Sequence, residues 1–135
     1  MIRIFVVDDH RLFRTGLTSM LKEEKGLEIT GEASTGMEAV QWVRTHTADV
    51  ILMDLNLPEM SGLEATRRIV LSSPQVKILV LTAHRDIIYP FRLLRAGALG
   101  YLTKDSDPEV LIEAIRQVAS GKNYLPSPLA KLLAD

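Results

Sequence analysis

Residues 50–58 read Val-Ile-Leu-Met-Asp-Leu-Asn-Leu-Pro. Its first four residues form an apolar run of strand length, and the run ends in a single carboxylate, Asp54. A carboxylate at the end of a buried run costs free energy unless it has a partner. We therefore expect other polar side chains to meet Asp54 in the folded protein.

Three further apolar segments of strand length also end in polar residues. They are residues 4–7 before the acids Asp8 and Asp9, residues 78–81 before Thr82, and residues 99–103 before Lys104. In open α/β sheets, ligands bind at the carboxyl ends of the strands, near the point where the strand order reverses. The carboxyl, hydroxyl and ammonium groups found here are of the kinds that bind phosphate and metal.

Helical patterns follow the apolar segments, with apolar residues at intervals of three and four. Thr35 with Glu38 has the spacing of a capping box, as does Ser61 with Glu64. The pair Asp107-Pro108 predicts a capping side chain before a proline at the first helical position. A strand followed by a helix thus recurs five times, and parallel strands need such crossover helices.

The strands differ in how apolar they are. The first, third and fourth are almost wholly apolar, which is typical of central parallel strands. Residues 27–33 alternate and are placed at one edge, and the short fifth strand, which contains Gly100, is placed at the other. We predict an α/β fold with a doubly wound, five-stranded parallel sheet of the flavodoxin-like (CheY-like) kind, in the order 2-1-3-4-5, with five helices.

The composition limits the classes of protein that fit. The 135 residues suit one domain, and 47% hydrophobic residues suffice for a normal core. The net charge of −1 gives no basic surplus for nucleic-acid binding, and the absence of Cys excludes disulfides and thiol catalysis. We find no signal-peptide core and no apolar run near the roughly 18 residues of a membrane span. We expect a soluble, cytoplasmic protein with no membrane partner.

The polar groups at the strand ends are suited to phosphoryl transfer. Three converging carboxylates, Asp8, Asp9 and Asp54, would repel one another unless a divalent cation lay between them. Oxygen ligands favour Mg²⁺, with Mn²⁺ possible. Asp54 can act as a nucleophile and form an aspartyl phosphate. Lys104 would pair with one phosphate oxygen, and the Thr82 hydroxyl could donate to another.

Each of these residues also has a purely structural interpretation when it is taken alone. Asp8 and Asp9 could cap the first helix, and Asp54 could be a turn residue. Thr82 could simply end a strand, and most lysines, such as Lys104, are solvated surface residues. The functional interpretation depends on the joint pattern. The three histidines do not have the spacing of a metal-ligand motif. We interpret them as surface or helix-end residues; they are His10, His46 and His84.

The joint pattern resembles the receiver domain of bacterial two-component response regulators. The resemblance covers about residues 1–121, in the order and spacing of that family. It rests on residues 6–10 (Val-Val-Asp-Asp-His), 49–58, 62–64 (Gly-Leu-Glu), 80–83 (Val-Leu-Thr-Ala) and 96–104 (Ala-Gly-Ala-Leu-Gly-Tyr-Leu-Thr-Lys).

The resemblance implies a role for each matching residue. Asp54 would be the phosphoacceptor, and Lys104 would contact the phosphoryl group. Asp9 would bind Mg²⁺ directly, Asp8 would bind it largely through water, and the main-chain carbonyl of Asn56 would complete the protein ligands. A partner sensor histidine kinase or phosphotransfer domain would supply the phosphoryl group.

The resemblance also implies a conformational switch. Thr82 and Tyr101 would form the switch pair, and the side chains of Asn56 and His84 would tune the lifetime of the phosphoryl group. One residue departs from the family pattern, because Asp105 follows Lys104 where many receivers have a proline. The geometry of that peptide bond therefore stays open.

The chain further resembles the NarL/FixJ subfamily, and within it regulators of the GacA/UvrY type. This likeness implies dimerisation on phosphorylation and DNA binding through a C-terminal helix-turn-helix domain. We assign residues 1–121 to the receiver domain and residues 122–135 to the start of a linker, whose last residues could begin another helix. No such output domain fits in residues 122–135, so we expect either a truncated regulator or a stand-alone receiver.

Two other functions fit parts of this pattern. A haloacid-dehalogenase-type phosphatase uses similar groups, but its motif has a second Asp where this chain has Asn56. A phosphorylation-independent binding module would be expected to lack one of the acids or the lysine. We expect no turnover of an independent substrate, so the protein is not predicted to be an enzyme.

Overall fold

The computed structural model describes residues 1–84 and 86–134, which fold into strands that alternate with helices. The strands are β1 (Ile2–Val7), β2 (Leu27–Ala33), β3 (Val50–Asp54), β4 (Lys77–Thr82) and β5 (Gly100–Thr103). The helices are α1 (Arg11–Lys22), α2 (Gly36–Trp42), α3 (Gly62–Ser72), α4 (Pro90–Ala96), α5 (Pro108–Ala119) and α6 (Ser127–Ala134). Within the described residues, none of the helices is long and apolar enough to cross a membrane.

The sheet has the predicted order, β2-β1-β3-β4-β5, and all its strands are parallel. A helix follows each strand, which confirms the predicted doubly wound fold. The sixth helix, α6, lies in the tail, where the sequence suggested that a further helix could begin. The polar β2 and the short β5 are the two edges, as their composition predicts.

The core has two layers because the side chains of each strand alternate between the faces of the sheet. On β1, Phe5 and Val7 pack toward α2, α3 and α4, whereas Ile4 and Val6 pack toward α1 and α5. All of the side chains of β3 are buried, as the apolar run predicts. The two layers cover both faces of the sheet and leave the carboxyl ends of its strands at one edge of the fold.

The predicted helix starts are partly confirmed. Thr35 and Ser61 each accept a hydrogen bond from the backbone N–H three residues on. The carboxylate of Glu64 does not return to the start of its helix, because it pairs with two arginines on the following turn. Asp107 precedes Pro108 at the start of α5, but its side chain makes no capping hydrogen bond, so that part of the prediction is wrong.

Gly62 allows α3 to begin close to the end of β3. Its N–H donates to the Leu55 carbonyl at 2.8 Å. A Cβ atom at this position would lie 2.0 Å from the carbonyl oxygen of Asp54, which is backbone and cannot rotate away. The loop after Asp54 therefore requires a residue without a side chain.

We expect Gly62→Ala to lower the free energy of unfolding by about 1–3 kcal/mol, because the added methyl group must push the end of β3 aside. Urea denaturation would measure this loss. Gly16 is the matched control, since among the described residues no heavy atom beyond its chain neighbours and the backbone of its own helix lies within 4 Å of the point where its added methyl group would stand. Gly16→Ala lies inside α1 and should raise stability by up to ~1 kcal/mol. Equal effects of the two substitutions would contradict the steric explanation.

Candidate functional site

The parallel register brings three acids and a lysine together at one end of the sheet. Val7 of β1 pairs with Met53 of β3, so Asp8 and Asp54 are the next neighbours along the two strands. The Lys104 Nζ atom lies 2.8 Å from Asp8 Oδ2 and 3.3 Å from Asp54 Oδ2. The ammonium therefore bridges the two carboxylates that the sequence placed at separate strand ends.

The charged groups of this cluster are largely buried, and their charges do not balance. The side chains of Asp8 and Asp54 are only 2% exposed, whereas that of Lys104 is 15% exposed. Each Oδ2 atom lies at ion-pair distance from the ammonium, but neither has a partner with hydrogen-bond geometry among the described residues. Asp9 adds a third, more exposed carboxylate. Three carboxylates and one ammonium leave the cluster with surplus negative charge.

The pKa values of Asp54 and Lys104 reflect this environment. Burial, followed by repulsion from Asp8, raises the pKa of the Asp54 carboxyl from 3.8 to about 6, although Lys104 opposes the shift. Burial by itself would lower the pKa of the Lys104 ammonium, but its contacts with Asp8 and Asp54 together raise it. Lys104 thus stays charged, while Asp54 is an acid that a nearby positive charge would stabilise in its ionised form.

Asn56 contacts the cluster with its backbone. Its N–H donates to Asp54 Oδ1 at 3.3 Å and favours the ionised carboxylate. The residue itself is exposed, as expected for the turn after β3.

Thr82 is the last residue of β4, and Tyr101 lies on the neighbouring strand β5. The Thr82 side chain is fully buried, and its hydroxyl donates to the Leu102 carbonyl at 3.3 Å. Tyr101 is half-buried and packs against the core on the α3 and α4 side of the sheet. Burial raises the pKa of its phenol. In this structure, the Thr82 hydroxyl is thus bonded to β5.

The loop after β5 holds Lys104 in position. The Lys104 N–H donates to the Thr82 carbonyl at 2.8 Å, which extends the pairing of β4 and β5 by one residue. The peptide bond between Lys104 and Asp105 is trans. His84 is almost fully exposed, and its Nδ1 atom lies 3.6 Å from the Asp105 carboxylate.

His10 is the neighbour of the cluster that sequence reasoning missed. It is the N-cap residue of α1, which agrees with a helix-end position, but its Nδ1 atom also lies 3.3 Å from Asp8 Oδ1 and 3.4 Å from Asp9 Oδ1. Its backbone N–H donates to Asp8 Oδ1 at 2.8 Å. Its position directly after Asp9 in the sequence was the signal that could have identified His10 as a neighbour of the cluster.

The donor set suits a divalent cation. Asp8, Asp9, His10 and Asp54 each offer a ligand atom, and these atoms all lie within 4.8 Å of one another. Two of these residues, Asp8 and Asp54, each carry a buried Oδ2 atom that has no hydrogen-bond partner among the described residues and that a cation would satisfy. The mainly oxygen donors favour a hard ion such as Mg²⁺.

The chain matches known proteins over nearly its whole length. A family model described as the response regulator receiver domain matches residues 4–116. The response regulator UvrY of Escherichia coli K12 is 46% identical over 134 residues, which cover 99% of this chain and 62% of that protein. The response regulator GacA of Pseudomonas aeruginosa PAO1 is 43% identical over 134 residues, which cover 99% of this chain and 63% of GacA.

The structural comparison agrees. The crystal structure of a LuxR-family two-component response regulator from Aurantimonas sp. SI85-9A1 superposes with a TM-score of 0.87 at 34% identity, covering 100% of this chain and 99% of that one. The chain belongs to the response regulator receiver domain family. The predicted resemblance, including the likeness to GacA and UvrY, is confirmed. This chain spans 62 to 63% of the length of those two relatives.

We expect Asp54→Asn to stabilise the protein in the absence of divalent cations. The folded-state pKa of about 6 exceeds the ordinary 3.8, so ionisation of Asp54 destabilises the fold progressively as the pH rises through that window. Asn cannot ionise. At pH 8 the free energy of unfolding should rise by about 1–3 kcal/mol, and the gain should vanish near pH 4. Urea denaturation at both pH values checks this.

Asp49→Asn is the matched control with the opposite sign. Asp49 accepts hydrogen bonds from Arg3, which hold the pKa of its carboxyl below 3.8. Its contribution to stability is present above the unfolded-state pKa and is lost as the pH falls through the folded-state value. Asp49→Asn should therefore lower stability at pH 8. A gain in stability for both variants would show that the loss of any acidic side chain is sufficient to stabilise the protein.

Proposed function

We propose that Asp54 accepts a phosphoryl group from a sensor histidine kinase or a phosphotransfer domain. The observation that carries this proposal is the buried Asp54 carboxylate beside the Lys104 ammonium, in a cluster with surplus negative charge. An Asp54 carboxylate oxygen would attack the phosphorus of a phosphohistidine. The new O–P bond forms as the P–N bond breaks, and the imidazole leaves with the electron pair of the broken bond.

The other residues of the site would position and neutralise the incoming group. Lys104 would exchange its contact with Asp54 for one with a phosphoryl oxygen, as a point charge. The Thr82 hydroxyl would donate to another oxygen. Phosphoryl transfer depends mainly on positioning and charge neutralisation, which these two groups can supply. The chain would promote its own phosphorylation and dephosphorylation without turning over an independent substrate.

A magnesium ion would complete the site, with manganese as an alternative. Asp9 and Asp54 would bind the ion directly, Asp8 would bind it largely through water, and the main-chain carbonyl of Asn56 would supply a further oxygen. When bound, the ion would neutralise the repulsion between the carboxylates and the phosphoryl group.

Phosphorylation would then shift an equilibrium between two conformers. Thr82 and Tyr101 would form the switch pair, with the Thr82 hydroxyl moving toward the phosphate and the Tyr101 ring turning inward. We assign residues 1–121 to the receiver domain and residues 122–135 to the start of a linker. In the whole regulator, this change would promote a homodimer and control transcription through a C-terminal DNA-binding domain.

We expect acetyl phosphate with Mg²⁺ to add one phosphate-sized mass to the chain, because Asp54 needs only a competent donor and a neutralising cation. Intact mass spectrometry detects the adduct. Asp54→Ala should remove it, whereas Asp49→Asn, at the opposite end of β3, should retain it. An equal adduct in Asp54→Ala would refute the site assignment.

We also expect Asp9→Ala to lower the affinity for Mg²⁺ by roughly tenfold or more, because the variant removes a direct carboxylate ligand. Isothermal titration calorimetry measures this change. His10→Ala is the matched control on the adjacent residue, since Mg²⁺ prefers oxygen to imidazole nitrogen. It should change the affinity by less than about threefold. Unchanged Mg²⁺ affinity in Asp9→Ala would favour a phosphorylation-independent binding module.

A further inference from the structure

The chain returns to the sheet after α5 and pairs with its outermost strand. Gly100 of β5 and Tyr124 form a parallel β-bridge. The Tyr124 N–H donates to the Leu99 carbonyl at 3.0 Å, and the Tyr101 N–H donates to the Tyr124 carbonyl at 3.3 Å. Since β5 is an edge of the sheet, this segment, residues 122–126, covers part of an edge that would otherwise be open. We call it the docked tail.

Side chains add to these backbone bonds. The Asn123 side-chain amide donates to the Leu99 carbonyl at 3.0 Å, so that carbonyl accepts from both Asn123 and Tyr124. Gln117 of α5 donates through Nε2 to the Asn123 carbonyl at 2.6 Å. The Tyr124 side chain packs against the core layer on the α1 and α5 face.

Gly100 permits this approach. A Cβ atom at Gly100 would lie 2.0 Å from the carbonyl oxygen of Tyr124, and that oxygen belongs to the backbone of the docked tail. A side chain on Gly100 would therefore have to displace the docked tail. The glycine in β5, which the sequence marks only as a weak strand residue, thus has a specific structural role here.

The docked tail is hydrogen-bonded to Tyr101, one member of the candidate switch pair, and lies close to the contact made by the other, Thr82. Thr82 is bonded to the carbonyl of Leu102, and Leu102 follows the Tyr101 whose N–H is bonded to the docked tail. A cleft of ≈ 310 Å³ at this edge brings together residues of β5 and of the docked tail. Its lining includes Tyr101, Leu102, Tyr124, Leu125 and Pro126.

We infer that β5 is a docking surface for residues 122–126 of the same chain and that phosphorylation of Asp54 releases them. This inference rests on the proposed function. The Thr82 hydroxyl has one hydrogen, so donation to a phosphoryl oxygen must end its bond to the Leu102 carbonyl. Movement of Leu102 and Tyr101 then strains the 3.3 Å hydrogen bond between Tyr101 and Tyr124. This bond is longer than the two 3.0 Å bonds that Tyr124 and Asn123 donate to the Leu99 carbonyl.

The small number of bonds makes release feasible. The docked tail is bound to β5 and Leu99 by two backbone hydrogen bonds and one from the Asn123 side chain. Two more bonds join it to α5, from Gln117 Nε2 to the Asn123 carbonyl and from the Lys122 N–H to the Gln117 carbonyl. Short edge elements with few hydrogen bonds open at a low free energy compared with central strands. The consequence is that the segment leading out of the receiver would report directly on the state of Asp54.

Amide hydrogen exchange measured by NMR on the 135-residue chain tests the inference. Beryllofluoride with Mg²⁺ serves as the phosphoryl mimic, and acetyl phosphate with intact mass verifies modification of Asp54 in a parallel sample. We expect the amides of Tyr101 and Tyr124 to exchange roughly tenfold faster or more with the mimic, while the central amide of Ile51 is unchanged. Asp54→Ala should show no acceleration.

Two variants separate docking from signalling. Gly100→Ala should give fast exchange at Tyr124 with or without the mimic, because its methyl group expels the docked tail. Gly16→Ala, a glycine with open space around it, should behave like the native chain. Asn123→Ala removes one side-chain bond without touching the sheet, and should accelerate exchange at Tyr124 even if Gly100→Ala folds poorly.

The outcomes distinguish the inference from the proposed function. If the adduct forms on Asp54 and the exchange of Tyr124 is unchanged or slower with the mimic, release is wrong and the phosphoacceptor assignment stands. If Asn123→Ala and Gly100→Ala both leave the exchange of Tyr124 at the native rate, docking is wrong. If no adduct forms on Asp54, the proposed function fails and the release mechanism fails with it.

Discussion

The hydrogen-bond register of the parallel sheet is the constraint on which the site depends. Val7 pairs with Met53, Asp54 pairs with Leu81, and Thr82 pairs with Thr103. Parallel strands in this register end at the same level, so groups separated by many residues in sequence meet within a few ångströms. A shift of one residue in any pair would turn each side chain to the opposite face and take the acids and the lysine apart.

The site lowers the stability of the protein, and the rest of the fold must offset this cost. Burying two carboxylates beside one ammonium lowers the stability of the protein without a cation, and the raised pKa of Asp54 expresses this cost. Replacement of such a group often stabilises a protein, because functional sites are selected for chemistry and not for stability. The two apolar layers on either side of the sheet provide the stability that allows this arrangement to persist.

Much of the fold and the candidate site could be predicted from local patterns. Central and edge strands differ in hydrophobicity, and polar residues that follow buried runs mark the strand ends, as Asp54 does after β3. The errors concern choices between nearby partners. The Glu64 carboxylate pairs with arginines on the next turn, and Asp107 makes no side-chain cap. His10 was assigned to a helix end without its contacts to the acids, because side-chain direction is not readable from spacing.

The element order, the strand types and the polar groups that could meet all follow from hydrophobic periodicity and residue chemistry, which can be read along the chain. Which of those groups touch, and where the chain goes after α5, depends on long-range packing. The pairing of Tyr124 with Gly100 is made by backbone atoms, which every residue carries. Such a contact leaves almost no compositional trace, and its one sequence mark, a glycine in an edge strand, would equally suit a bulge or a tight bend.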